Sequence, residues 1–141
     1  MMNELIDILD NQNASLVIRD AQGEIHTCHG RGVSDLHHIL HNTPQWLKDA
    51  MVADKVVGRG AAALMILGGV RQLHAALISE QAISFLEMAH VKFSYGKRVP
   101  AIINRAGTGL CPVETLTAHC TSPQEALPLI DRFVSSLPSS C

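Results

Sequence analysis

The stretch Asp54-Lys55-Val56-Val57-Gly58-Arg59-Gly60-Ala61-Ala62-Ala63-Leu64-Met65-Ile66-Leu67-Gly68-Gly69 decides the architecture. Val56 to Leu67 reads as a helix buried on most sides, its alanines admitting close neighbours and Gly68-Gly69 ending it. Val70 to Ile78 then reads as a strand, with Ser79 at a strand-to-helix junction and Ala82, Ile83, Leu86 and Met88 marking another helix. Val91 to Tyr95 alternates as a short strand, while Pro100 to Asn104 fits either a strand or a tight turn. Strands alternating with helices argue an α/β domain.

Outward from this block the signals remain local. Met2, Leu5, Ile6 and Leu9 recur at helical spacing. Ala14–Arg19 and Glu24–Cys28 flank the turn Asp20-Ala21-Gln22-Gly23, a hairpin that makes the sheet mixed. Val33 to His41 forms a helix that Ser34-Asp35 can cap and Asn42-Thr43-Pro44 stops. Cys111-Pro112-Val113-Glu114 opens another helix, and Ser122-Pro123 with Glu125 starts a last one reaching Ser136. The expectation is a three-layer sandwich, a mixed sheet with helices on both faces, in a single domain over residues 1–141 with its core at about 2–135.

Composition removes several classes of function. Of the 141 residues 47% are hydrophobic and 17% charged, enough for a core and against disorder. Eleven Lys and Arg face 13 Asp and Glu without any basic block, so no nucleic-acid partner is expected. The acidic start and the ten-residue apolar run Ala61–Val70 suit neither a signal peptide nor a membrane span. Cysteines at 28, 111, 120 and 141 include no CxxC pair and read as free thiols of a cytoplasmic protein.

Three helix starts carry the chemistry: Gly58-Arg59-Gly60, Ser79-Glu80 and Cys111. Helix N-termini gather anions, and ligands of open α/β sheets bind where such starts collect. The glycines bare the backbone and Arg59 adds a cation, although no GxxxxGK[ST] is present. Close packing is the more common reason for a Gly-x-Gly at a helix start. Asn104-Arg105-Ala106-Gly107-Thr108-Gly109 offers a guanidinium and polar groups for a phosphate or sugar, or is a structural loop. His26-x-Cys28-His29 and His37-His38-x-x-His41 are the densest of eight histidines, and His37 and His41 share a helix face at ligand-compatible spacing. Surface and packing roles remain the plainer explanation for them, and no metal is expected. Cys111 at a helix start has a thiolate favoured by the dipole and opposed by Glu114 one turn on.

These residues together resemble a known family. Asp54 to Ala63, then Ala75-x-x-Ile78-Ser79-Glu80-x-Ala82, Val99 to Arg105 and Cys111 to Glu114 look like a small prokaryotic family of uncharacterised function with a cytidine-deaminase-like fold. The resemblance spans about residues 2–135, with four segments in order. It departs at Gly60, where the family more often shows Ala, and at Val113, where Met is common. In zinc deaminases one helix opens with H-x-E or C-x-E and the next with P-C-x-x-C. Here they open with Gly58-Arg59-Gly60-Ala61 and Ser79-Glu80-Gln81-Ala82, which supply no ligand set. Zinc-dependent deamination and any cofactor are therefore not expected.

Three functions follow as expectations. The leading one is a zinc-free deaminase-like domain that binds a small anionic ligand, a nucleotide or related phosphate-bearing metabolite. Gly58, Arg59 and Gly60 would meet phosphate, with Ser79 and Glu80 at the second helix start and Asn104 and Arg105 orienting the ligand. The second is an enzyme with Cys111 as nucleophile and Glu80, Glu114 or a histidine as partner. The third is a non-catalytic interaction domain. A homodimer would cover the alanine-rich helix and apolar strand.

Overall fold

A computed structural model describes residues 2–30, 33–103, 109 and 111–136. Helix α1 (Met2–Asn11) leads into the hairpin β1 (Leu16–Arg19) and β2 (Ile25–Cys28), then α2 (Ser34–Asn42) and a 3-10 turn at Pro44–Trp46. Three strand–helix passages follow: β3 (Met51–Val57) into α3 (Arg59–Gly68), β4 (Gln72–Ser79) into α4 (Glu80–Met88), and β5 (Lys92–Val99) towards α5 (Pro112–Leu116) and α6 (Pro123–Ser136). The sheet order is β2-β1-β3-β4-β5. The hairpin is antiparallel to its neighbours, whereas β3, β4 and β5 run parallel. The fold is a mixed five-stranded α/β sheet.

The expected helix from Val56 begins instead at Arg59, because Met51–Val57 is the central strand. A continuous apolar run does not distinguish a buried strand from a buried helix by periodicity. What distinguishes them is pairing: β3 has β1 on one edge and β4 on the other, with Val57 opposite Ile78. Gly58, at φ −99° and ψ −174°, is the extended residue from which α3 starts. The helix ends at Gly69, whose φ of +86° is the left-handed conformation that glycine adopts freely. Strand β5 is also longer than its alternating core suggests, since parallel pairing with β4 continues to Val99.

Two apolar clusters hold the layers. Leu5 and Leu9 of α1 pack on Val17, Met51 and Ala53 across one face. Leu16, Ile18, Val52, Leu73 and Ala75 point to the other, where α3 lies centrally with α2, α4 and α6 around it. Ala61, Ala62 and Ala63 are buried, and their small side chains let α3 sit close to α4 and α6. Helix α2 starts differently from expectation: Val33 is its N-cap without any side-chain cap, and Asp35 instead accepts the Gly30 N–H at 2.8 Å. Ser122 does cap α6, its Oγ accepting the Glu125 N–H at 3.3 Å.

Candidate functional site

At the carboxyl end of β3 the sheet opens into a cleft of about 180 Å³. Ser15 and Leu16 form its β1 side, Leu36 its α2 side, Gly58, Gly60 and Ala61 its α3 side, and Ile102, Cys111 and Val113 its far wall. The position follows from topology: β1 runs antiparallel to β3, so its first residues flank the last ones of β3. Parallel strands deliver each following helix N-terminus to this same edge.

Three carboxylates converge here: Asp35, Asp54 and Glu114. Asp54 is buried and receives the Val56 N–H at 3.3 Å. Burial pushes its carboxyl up to about 7, against main-chain hydrogen bonds from Val56 and Lys55, and the negative charge of Asp35 adds to the rise. The Cys28 thiol is pushed up to about 11, first by burial and then by Asp35 and Asp54, so it stays protonated. Lys55 also lines the cleft, and its ammonium donates to Asn13 Oδ1 at 2.7 Å.

Glu114 decides what the start of α3 can bind. Its Oε1 accepts the Arg59 main-chain N–H at 2.7 Å, so a carboxylate of the chain already occupies the positive end of that helix. Gly58 makes the approach possible, since a Cβ there would stand 2.7 Å from the same oxygen. The Arg59 side chain leaves in another direction. Its guanidinium donates to Thr117 O at 2.6 Å and lies over the Phe85 ring, 5.9 Å from the centroid. There it joins Glu80, Gln81, Ser84 and Cys120 around a second, more open cleft of about 420 Å³.

The expected site residues thus separate into two groups. Gly58, Gly60, Glu114 and Cys111 meet in the first cleft, and the side chains of Arg59 and Glu80 in the second. Ser79 is fully buried and caps α4, accepting the Ala82 N–H at 3.2 Å. Glu80 pairs with Arg98 at 3.6 Å across an exposed surface. Cys111 is half-buried, and its N–H donates to Ile102 O at 2.9 Å. Asn104 and Arg105 lie outside the described residues, as does Cys141.

Asp54 and Asp35 were not singled out as site residues from the sequence. Asp54 stands just ahead of the run read as a helix from Val56, and Asp35 reads as a cap. An aspartate within an otherwise apolar strand was the available signal, because a buried carboxyl needs a reason. For metals, two groups among the described residues bring three ligating atoms within 4.8 Å of one another: His37, His41 and Asp131, and Asp20, Glu24 and His26. Neither group lines the first cleft.

Comparison with known proteins bears on the family and the fold. A family model described as "Domain of unknown function (DUF1893)" matches residues 4–134. No curated protein matches. The crystal structure of a DUF1893 family protein from Thermotoga maritima superposes with a TM-score of 0.85 at 21% identity, covering 94% of this chain and 88% of that one. That likeness carries the fold. Among the described residues no helix is long and apolar enough to cross a membrane.

Proposed function

The chain belongs to the DUF1893 family, and on that premise we propose that it is a deaminase-like domain without the catalytic zinc ligands, which binds a nucleotide-type metabolite with its base inward. The observation that carries the proposal is the buried carboxyl of Asp54 in the lining of the cleft, which burial pushes up to about 7. Near neutral pH such a group offers either two acceptors or a donor and an acceptor, which complements the amide and amidine edges of heterocyclic bases. A cleft of about 180 Å³ has room for one ring and is smaller than the roughly 300 Å³ at which sites for drug-sized ligands begin. The order β2-β1-β3-β4-β5, with α3 and α4 starting at the ends of parallel β3 and β4, supports the deaminase-like reading.

The phosphate end belongs elsewhere. Asp35, Asp54 and Glu114 would repel it inside the cleft, and Glu114 already takes the α3 N–H that a phosphate would seek. We therefore assign phosphate to the mouth of the cleft, with Asn104 and Arg105, which lie outside the described residues, kept as candidates from the sequence for orienting the ligand. A thermal-shift series of nucleobases, nucleosides and 5′-monophosphates tests this. Nucleosides should raise the midpoint through native-state binding, by about 2.7 kcal/mol at a hundred times the Kd, and Asp54→Asn should abolish the rise. A response to phosphate compounds alone that vanishes in Arg59→Ala would move the ligand to the second cleft. No response at millimolar ligand would refute binding and favour the interaction-domain reading. Modification of Cys111 by iodoacetamide, slowed by a bound nucleoside, would report occupancy of the same cleft independently.

A further inference from the structure

We propose that His37, His41 and Asp131 form a binding site for a divalent transition-metal ion, zinc being the best match, which clasps α2 to α6. His37 and His41 lie four residues apart on α2 and therefore on one face. Asp131 comes from α6, far along the chain, and its Oδ1 stands 2.6 Å from His37 Nε2 and 2.9 Å from His41 Nε2. The two imidazoles meet edge to face, with centroids 4.4 Å apart and planes at 63°, so their nitrogens converge on one point. All three ligating atoms lie within 4.8 Å of one another.

Without an ion, both Nε2 atoms crowd a single carboxylate oxygen, which requires each ring to present a proton there. One ion replaces both protons. Around a tetrahedral zinc with ligand distances near 2.0–2.1 Å, donor atoms sit about 3.3 Å apart. The nitrogens and oxygen need move by less than about 1 Å to reach that spacing. Asp131 can supply the movement, since its side chain is 41% exposed. Two imidazoles with one carboxylate favour zinc, nickel, copper or cobalt over magnesium or calcium, which take oxygen ligands.

Position gives the site a consequence. His37 is 15% exposed and His41 45%, so the cluster opens to solvent and leaves a fourth position for water. The same helix carries Asp35 and Leu36 in the wall of the first cleft. A filled clasp fixes that wall against α6. It does not depend on the cleft binding a nucleotide.

The experiment is a cobalt and zinc titration of the full chain without an affinity tag. One tetrahedral-type cobalt spectrum per chain is expected, displaced by zinc, with a zinc-induced rise in melting temperature. His41→Gln and His37→Gln should each weaken binding at least tenfold, while His38→Gln on the same helix and His26→Gln in the hairpin should leave it unchanged. Circular dichroism of the exposed His41→Gln variant checks that it folds. Zinc binding that survives the His37→Gln/His41→Gln pair, or is lost in His38→Gln, would overturn the assignment. So would the absence of a stoichiometric site at micromolar free zinc.

Discussion

Glu114 Oε1 accepts the main-chain N–H of Arg59 at 2.7 Å, joining the first turn of α3 to a carboxylate 55 residues further along the chain. The contact satisfies a helix-end donor with a buried acceptor and sets negative charge against the positive end of the helix dipole. It also explains Gly58, because any Cβ there would press on the same oxygen.

Removing that carboxylate therefore has two effects. Glu114→Ala should cost about 1–3 kcal/mol in urea unfolding, the range for a lost cap that leaves a donor unmet. Glu114→Gln, which keeps an acceptor, should cost less. Because the alanine variant empties the α3 N-terminus, millimolar phosphate should restore part of its stability and leave the wild type unaffected.

Gly60 and Val113 form a matched pair. A Cβ on Gly60 would collide with Val113 Cγ1, a branch that cannot swing clear as the end of a long side chain can. Gly60→Ala should therefore destabilise by about 1–3 kcal/mol. Val113→Met removes the branch, so the double variant should recover most of that loss in a double-mutant cycle. Additive costs would show that the two positions do not constrain one another.

Asp54 makes stability depend on pH with a defined sign. Its folded-state carboxyl titrates at about 7, above the ordinary value of 3.8. Between those values the native state holds a proton that the unfolded state has released, so stability falls as pH rises and levels off above about 7. Asp54→Asn abolishes this cost. Its gain over wild type should be small at pH 4 and grow to the order of 4 kcal/mol by pH 8. Urea midpoints across that range measure it, and a gain that shrinks with rising pH would contradict the assignment.

Asp20 should show the opposite dependence. Its Oδ1 accepts the Gln22 and Glu24 N–H groups, each at 3.0 Å, and its Oδ2 meets His26 Nε2 at 2.8 Å. The hydrogen bond from His26 is the largest lowering influence, and the two main-chain bonds add to it, so the carboxyl lies below its ordinary value despite burial. That contribution is present above the usual carboxylate range and disappears as pH falls through the depressed value. Asp20→Asn should flatten the acid limb of the stability profile. Loss of the His26–Trp46 stack, centroids 3.7 Å apart, would appear in tryptophan fluorescence.

The legible parts of the site were those carried by local residue types. The starts of α4 and α5 were readable from Ser79-Glu80 and Cys111-Pro112, because helix ends need extended, capping or proline residues near the boundary, whereas Gly58-Arg59-Gly60 marked the start of α3 only nearby, inside a helix read from Val56. The hairpin was readable from Asp20 to Gly23, and Gly23 has the positive φ of +89° that such a turn uses. The direction of the Arg59 side chain was not readable. Its partners Thr117 and Phe85 are distant in sequence and reach it only when α4 and α5 flank α3.

By itself, then, the sequence determined a domain in which strands alternate with helices after a hairpin, and the places where helices could begin. These depend on neighbours within a turn or two. Tertiary structure alone decided that Met51–Val57 is the central strand, that Glu114 rather than a ligand holds the start of α3, and that Asp35 and Asp54 share a cleft. It also brought Asp131 onto His37 and His41. Each of these joins segments far apart in the chain, and their partners are set by sheet pairing and helix packing, which no local pattern encodes.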